Sequence, residues 1–180
     1  MNLWQRHGTA IPAEITIRPA RKDDAEAVSR MARALSLSDG GRPSRFTAEG
    51  FLRDGFGERR WFHTLVAEMD GRPVGYAVYY FGYDTDTASP GVYLADLYVE
   101  EKSRRRGGGR LLVGAVAAAG RSNGGRWMFW SVLKQNKGAR RFYRTIAPEL
   151  KDVIVCAAFG ANFERLADDA TPVRPVIHRD

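Results

Sequence analysis

Apolar side chains recur along the chain either at every second residue or at helical spacing. The changes from one spacing to the other predict a series of strands and helices. Residues 14–18 alternate apolar and polar side chains, as a half-buried strand does. Residues 23–37 place apolar side chains at helical spacing, with acidic residues in the first turn. Thr47 is positioned to cap a short helix that ends near Asp54. Further strands are predicted over 62–68, 74–83, 91–100, 127–133 and 153–157, and helices over 108–119, 137–145 and 162–168.

This order of elements predicts a mixed sheet with helices on its faces, an α/β or α+β sandwich. The chain has 180 residues, 44% of them hydrophobic, which suits a single core. We therefore expect one domain over residues 14–168, a flexible leader over 1–13 and a C-terminal tail over 169–180.

Composition narrows the class of protein. No segment approaches the ~20 apolar residues of a membrane span, and the first residues lack the apolar stretch of a secretory signal. Cys156 is the single cysteine, so no intrachain disulfide can form, and no Cys/His set has the spacing of a metal site. A cytoplasmic protein without a metal is expected.

The net charge of +7 has two explanations. A dense basic run over residues 102–110 could contact nucleic acid, but none of the usual recognition motifs accompanies it. An enzyme that holds a polyanionic cofactor needs local positive charge as well. Nucleic acid is therefore not expected as a partner.

A glycine loop follows the strand at 91–99 and opens the helix at 108–119. Bare backbone N–H groups at such a helix start bind phosphate, and the surrounding arginines add positive charge. The loop lacks the Gly-Lys-Ser/Thr of a Walker motif and the G-x-G-x-x-G of a dinucleotide site. Its pattern is Arg104-x-x-Gly107-x-Gly109, which predicts a pyrophosphate site.

Together with Asn136-x-x-Ala139-x-x-Phe142-Tyr143, this loop resembles the GNAT superfamily of acetyl-CoA-dependent N-acetyltransferases. The likeness extends beyond these motifs to the spermidine/spermine (diamine) N-acetyltransferase branch. The segments that carry it are residues 15–20, 54–58, 65–68, 74–84 and 93–99.

The resemblance implies a six- or seven-stranded sheet that splays between the strands at 91–99 and 127–133, with acetyl-CoA as cosubstrate. It also implies a homodimer. The coenzyme would contact the backbone of Leu97, Tyr98 and Val99, the loop residues Arg104, Arg105, Arg106, Gly107, Gly108, Gly109 and Arg110, and the helix residues Asn136 and Ala139.

Acetyl transfer needs a proton for the departing thiolate, and a tyrosine hydroxyl with a pKa near ~10 can give one. Tyr143 is the candidate. The alternative is that Asn136 caps a helix and that Phe142 and Tyr143 only pack. Asp96 stands within an apolar strand, where it is either a hydrogen-bonded structural carboxylate or a group that binds the amine or relays its proton.

Three acidic residues, Asp39, Asp84 and Asp96, are candidates for binding a cationic amine. The diamine enzymes carry an acid before the equivalent of Asp96, where this chain has Ala95, and Arg42 and Arg45 add positive charge near Asp39. We therefore expect N-acetylation of a small diamine, polyamine or lysine-like amino acid. The alternatives are an acetyltransferase for protein lysines or N-termini, and a noncatalytic basic binding module.

Overall fold

The computed structural model describes residues 14–169. The chain divides into two compact units, residues 1–137 and 138–180. The expected leader over 1–13 lies outside the described residues, and so does the expected tail apart from Asp169, which is exposed.

The first unit contains a five-stranded sheet in which the strands lie in chain order. Its strands are β1 (Thr16–Pro19), β2 (His63–Met69), β3 (Arg72–Asp84), β4 (Ser89–Val99) and β5 (Trp127–Trp130). The first four pair antiparallel, and β5 joins β4 in parallel. Asp70 and Gly71 both take positive φ between β2 and β3, as a two-residue hairpin turn requires.

The described residues form five α-helices: α1 (Ala25–Ser38), α2 (Ala48–Phe56), α3 (Gly108–Ser122), α4 (Lys137–Tyr143) and α5 (Ala161–Asp168). The hydroxyl of Thr47 accepts a hydrogen bond from the amide of Gly50 at 3.0 Å, which confirms the predicted cap of α2. The glycine loop opens α3 at Gly108, where the sequence places the helix start.

Helices cover both faces of the sheet. On one face, α1 and α2 pack their buried side chains against Val66, Tyr76 and Val78. On the other face α3 contacts the strands, and Gly120 approaches Val92 so closely that a Cβ would lie 3.2 Å from its side chain. The expected mixed sheet between helices is confirmed.

The strand count differs from the expectation. The segment over 153–157 has no regular secondary structure and no strand pairing in the described part of the chain, and Ile154 is 88% exposed. Its apolar, β-branched composition suits a strand, but a strand also needs a neighbour that accepts its backbone hydrogen bonds. The strand predicted over 127–133 ends at Trp130 for the same reason, because its pairing with β4 stops there.

Candidate functional site

The glycine loop forms a helix start that is open to an anion. Gly107 precedes α3 in the left-handed conformation, with φ of 84°, and no side chain caps the helix there. Its carbonyl accepts the first helical hydrogen bond, from the amide of Leu111 at 3.0 Å. The first amides of a helix have no intrahelical acceptor, and the helix dipole makes that end positive. The geometry therefore suits a phosphate group.

The arginines of the loop have different surroundings. Arg104 donates from Nε to the carbonyl of Val99 at 3.0 Å, and its guanidinium lies 5.8 Å from the ring centroid of Tyr98. This bond ties the loop to the end of β4. Arg105, which takes a positive φ of 64°, and Arg106 are exposed to solvent beside the helix start. The loop thus presents positive charge around the amides.

Gly108 has a packing role. A Cβ on this residue would lie 3.1 Å from Cδ1 of Ile15, so glycine lets the first turn of α3 approach Ile15, just before β1. Gly109 and Arg110 complete the first turn, with Arg110 exposed.

The sheet opens between β4 and β5. The two strands pair only from Gly91 with Trp127 to Leu94 with Trp130, whereas β4 continues to Val99. At the opening Ala95 is an extra residue, because Leu94 pairs with Tyr79 and Asp96 pairs with Val78. Such a bulge bends and twists a strand.

The residues of β4 beyond the bulge therefore have β3 on one side and, within the described residues, no strand on the other. Leu97, Tyr98 and Val99 are the predicted backbone contacts of the coenzyme, and all three lie in this unpaired stretch. The predicted splay between the strands at 91–99 and 127–133 is confirmed.

Asp96 is a half-buried carboxylate beside this opening. Its Oδ2 accepts a hydrogen bond from the hydroxyl of Tyr76 at 3.0 Å. Burial raises the pKa of Asp96 above its usual range, the hydrogen bond from Tyr76 opposes that rise, and the charge of Asp39 adds to it. Burial and the neighbouring carboxylate likewise raise the pKa of Tyr76, so this hydroxyl keeps its proton. The carboxylate can therefore hold a cation or accept a proton more readily than a solvated aspartate.

Asp39 lies at the C-terminal end of α1 and is joined to the segment before α4. Its Oδ1 accepts a hydrogen bond from Nδ2 of Asn136 at 2.9 Å. The charge of Asp39 also acts on Asp96, whose pKa it raises. Hydrogen bonds thus join Tyr76 to Asp96 and Asn136 to Asp39.

Asp84 has different surroundings from the other two acidic candidates. It ends β3, where its carboxylate accepts hydrogen bonds from the amide of Asp86 at 3.0 Å and from the hydroxyl of Thr87 at 2.9 Å. Its partner in β4 is Ser89, about 23 Å of extended strand before Asp96. Within one chain, the structure does not bring Asp84 to Asp96, and its carboxylate organises the β3–β4 turn.

The second unit contains most of α4, including Ala139 and Tyr143. Tyr143 is the last residue of the helix and is half-buried, with its ring centroid 5.2 Å from that of Phe142. Its carbonyl accepts hydrogen bonds from the amides of Ile146 and Ala147.

Glu149 forms a fork of ion pairs with two arginines of this unit. It accepts bidentate hydrogen bonds from Arg140 at 2.8 Å and further bonds from Arg144 at 3.2 Å. Hydrogen bonds from Arg140 and then Arg144 lower the pKa of Glu149 to about 2. This fork holds the end of α4 and so the backbone that carries Tyr143.

Sequence reasoning missed Tyr76 as a partner of Asp96. A signal was present, because a tyrosine in an apolar strand buries its hydroxyl and needs a hydrogen-bond partner. The partner itself could not be named without the register that places Tyr76 opposite Tyr98 and close to Asp96. The contact of Asn136 with Asp39 was also missed, because it joins residues far apart in sequence.

No group of three or more His, Cys, Asp or Glu residues within 14–169 is arranged to hold a metal ion. No helix in that range is long and apolar enough to span a membrane.

Comparison with known proteins adds independent information. Residues 33–146 match the acetyltransferase (GNAT) family. A thialysine N-epsilon-acetyltransferase from Sus scrofa is 36% identical over 146 residues, which is 74% of this chain and 84% of that protein.

Solved structures show the same fold. An integron cassette protein from the mobile metagenome of V. cholerae superposes with a TM-score of 0.72 at 19% identity, covering 86% of this chain and 98% of that one. An aminoglycoside N-acetyltransferase in complex with CoA superposes with a TM-score of 0.67 at 20% identity, covering 83% and 99%.

Proposed function

The chain belongs to the acetyltransferase (GNAT) family and is an acetyl-CoA-dependent N-acetyltransferase, and on this premise we propose that its acceptor is the side-chain amine of a lysine-like amino acid. The observation that carries the proposal is the acidic pair Asp39 and Asp96 beside the opening of the sheet. A pair of carboxylates holds an ammonium group by opposite charge and hydrogen bonding.

The described residues fit acetyl-CoA. The left-handed Gly107, the uncapped start of α3 and the exposed Arg105 and Arg106 suit its pyrophosphate. The unpaired backbone of Leu97, Tyr98 and Val99 can hydrogen-bond its amide-bearing arm, and Asn136 and Ala139 are assigned to it by resemblance. When bound, the coenzyme supplies an acetyl group activated as a thioester.

The acceptor amine is protonated at neutral pH and must lose a proton before it can attack. We propose that Asp96 accepts this proton, directly or through water, because burial raises the pKa of that carboxyl. The hydroxyl of Tyr76 holds the carboxylate in place through its bond to Oδ2. Asp39 adds negative charge that favours the ammonium form before the proton leaves.

The departing thiolate needs a proton as well, and we assign its donor to the hydroxyl of Tyr143. A tyrosine holds its proton at neutral pH and can still release it to a thiolate whose conjugate acid has a pKa near ~8.5. The position of Tyr143 at the end of a helix braced by Glu149 supports a fixed orientation of the ring.

The acceptor class follows from the charge near the acidic pair. The loop after α1 carries Arg42 and Arg45, both exposed, where a polyamine would meet like charge. A lysine-like amino acid offers one ammonium to the acids and a carboxylate to an arginine. The thialysine acetyltransferase from Sus scrofa supports the same class.

An amine panel tests this acceptor class. We expect kcat/KM for thialysine and lysine to exceed that for putrescine, spermidine and spermine by about tenfold or more, because one charged contact contributes roughly 1.5–3 kcal/mol. Spermine as the best acceptor would contradict the assignment. A preference for lysine within peptides would favour a protein acetyltransferase, and binding of acetyl-CoA without any turnover would favour a noncatalytic module.

We also propose that the protein is a homodimer and that it acts in the cytoplasm. A set of exposed aromatic side chains on β3 and β5, including Tyr80 and Phe129, supports the dimer. A single, exposed cysteine, Cys156, suits a reducing compartment.

A further inference from the structure

Asp39 is held at the end of α1 by a defined turn of the backbone. The amide of Gly40 donates to the carbonyl of Leu37 at 3.1 Å. The amide of Gly41 donates to the carbonyl of Ser36 at 3.0 Å, and Gly40 takes a positive φ of 76°. These bonds form a Schellman motif, which ends a helix and sets the direction in which the chain leaves it. The backbone that carries the Asp39 carboxylate therefore has a fixed position.

A carboxylate in this position does not stabilise the helix. The C-terminal end of a helix carries partial negative charge, so it favours a cation over an aspartate. Asp39 is also half-buried, and a carboxylate that is partly removed from water needs hydrogen-bond donors. Nδ2 of Asn136 supplies one at 2.9 Å. Helix stability therefore does not explain an aspartate here, whereas its contact with Asn136 gives it a role.

Asn136 lies in the chain that continues β5. It follows Trp130, the last residue of that strand, by six positions. Its backbone amide donates to the carbonyl of Leu133 at 2.9 Å, so a tight turn holds it, and the residue is half-buried. The bond from Asn136 to Asp39 thus joins the end of α1 to the chain beyond β5.

This bond determines which way the side-chain amide of Asn136 faces. An ionised carboxylate only accepts hydrogen bonds, so the nitrogen of the amide faces Asp39 and the oxygen does not. Nitrogen and oxygen lie on different sides of a planar amide, so Oδ1 is directed away from Asp39. An amide oxygen can accept two hydrogen bonds. It is the kind of group that an N–H donor of an amide-bearing arm requires.

We propose that Asp39 is a positioning residue for the coenzyme. Its carboxylate orients the amide of Asn136 so that Oδ1 accepts a hydrogen bond from an N–H group of the coenzyme's arm. This inference rests on the proposed function, which assigns Asn136 to the coenzyme and Asp39 to the acceptor amine. Asp39 then acts in both binding events, because its charge attracts the amine and its Oδ1 holds Asn136.

Two substitutions separate the charge of Asp39 from its hydrogen bond. Asp39→Asn removes the charge and keeps an oxygen that can accept from Nδ2 of Asn136, whereas Asp39→Ala removes both. Calorimetry with acetyl-CoA on the full chain, without an amine, measures the hydrogen bond alone. Asp39→Asn should bind acetyl-CoA within about twofold of wild type, and Asp39→Ala should bind it about fivefold more weakly. With thialysine as the acceptor, both variants should lose kcat/KM about tenfold or more, because both lack the charge.

A double-mutant cycle tests whether Asp39 acts through Asn136. Asn136→Ala should weaken acetyl-CoA binding at least as much as Asp39→Ala does. Adding Asp39→Ala to Asn136→Ala should weaken it little further, because the two residues act as one unit. Ser38→Ala is the matched control. It removes a hydrogen bond of 2.8 Å from the Ser38 hydroxyl to the carbonyl of Leu35, in the last turn of the same helix, and should leave acetyl-CoA affinity unchanged.

Four results would overturn the positioning role. They are wild-type affinity of Asp39→Ala for acetyl-CoA, additive losses in the double variant, equal losses in Asp39→Asn and Asp39→Ala, and an equal loss in Ser38→Ala. The third result would show that charge matters and the orientation of the amide does not. The fourth would show a general disturbance of the helix end.

The proposed function fails by different results. A preference for polyamines in the amine panel would contradict the acceptor class and would leave the acetyl-CoA affinities of these variants as expected. Unchanged acetyl-CoA binding by Asn136→Ala would remove Asn136 from the coenzyme site and would overturn the positioning role with it.

Discussion

At the scale of single residues, the site is built around one buried hydrogen bond. The hydroxyl of Tyr76 donates to Asp96, and burial raises the pKa of both groups. A carboxylate in this position is costly when ionised and useful when a cation arrives. The charge of Asp96 therefore lowers the stability of the fold but helps to bind the acceptor amine.

The first prediction follows from the direction in which the fold shifts the pKa of Asp96. The pKa of Asp96 is higher in the fold than in the unfolded chain, so the folded state binds the proton more tightly. The resulting stabilisation is present at pH below the unfolded pKa of ~3.9 and is lost as pH rises through the folded pKa. Asp96→Asn should therefore raise Tm at pH 7.5 by a few degrees while it weakens use of the acceptor amine.

The check combines thermal unfolding at pH 4.5 and 7.5 with acceptor kinetics. The gain in Tm should be smaller at the lower pH, and acetyl-CoA binding should stay close to wild type. Asp86→Asn, on the exposed β3–β4 turn, is the control and should change neither quantity. A loss of stability at pH 7.5 in Asp96→Asn would show that the carboxylate is a satisfied structural charge.

Tyr143 carries the second prediction. Tyr143→Phe retains the ring that packs against Phe142 and removes only the hydroxyl group, which is the proton donor. Turnover should fall by roughly 100-fold or more, the usual range for general acid catalysis, with little change in acetyl-CoA affinity. Phe142→Leu is a packing control that should lose stability without a comparable loss of kcat. Full activity of Tyr143→Phe would leave this residue with a packing role alone.

At the scale of elements, the features that were predicted correctly from the sequence are those that neighbouring residues determine. The start of α3 after Gly107, the cap at Thr47 and the strands β2 and β3 all depend on neighbouring residues, and the structure has them as predicted. Positive φ at Gly107 follows from the turn that the loop must make.

What the sequence did not reveal depends on partners far along the chain. The bond between Asn136 and Asp39 joins residues outside the sheet that are far apart in sequence. The hydrogen bond from Tyr76 to Asp96 depends on the register of the sheet. The segment over 153–157 has a strand composition without a strand partner among the described residues. Asp84 was grouped with Asp39 and Asp96 by charge, whereas its position at the end of β3 separates it from them.

The third prediction concerns α3. Gly109→Asp places a carboxylate in the first helical turn, where the proposed pyrophosphate would lie, so it should abolish acetyl-CoA binding measured by calorimetry. The helix itself should tolerate the change, because an acidic residue near a helix N-terminus is favourable. Gly114→Asp is the control, since its Cβ position is open and lies in the middle of the same helix. Unchanged binding in a folded Gly109→Asp enzyme would remove the loop from the coenzyme site.

At the scale of the whole molecule, aromatic side chains form an exposed surface on the sheet. Tyr80, Tyr93 and Phe129 occupy directly opposed positions on β3, β4 and β5 and so share one face of the sheet. The rings of Tyr80 and Tyr93 stack at 5.2 Å, and those of Trp127 and Phe129 lie 5.2 Å apart. A cluster of exposed aromatic rings commonly marks a protein–protein contact.

The last prediction is that this surface joins two copies of the chain. Light scattering at micromolar concentration should give a mass near twice the 20.1 kDa of one chain. Phe129→Ser should shift the protein toward the monomer, because it removes an exposed aromatic ring from the surface. Leu37→Ser, at a comparably exposed position on α1, should leave the dimer intact. A wild-type monomer at these concentrations would contradict the dimer, and a dimer that resists Phe129→Ser would place the contact on another surface.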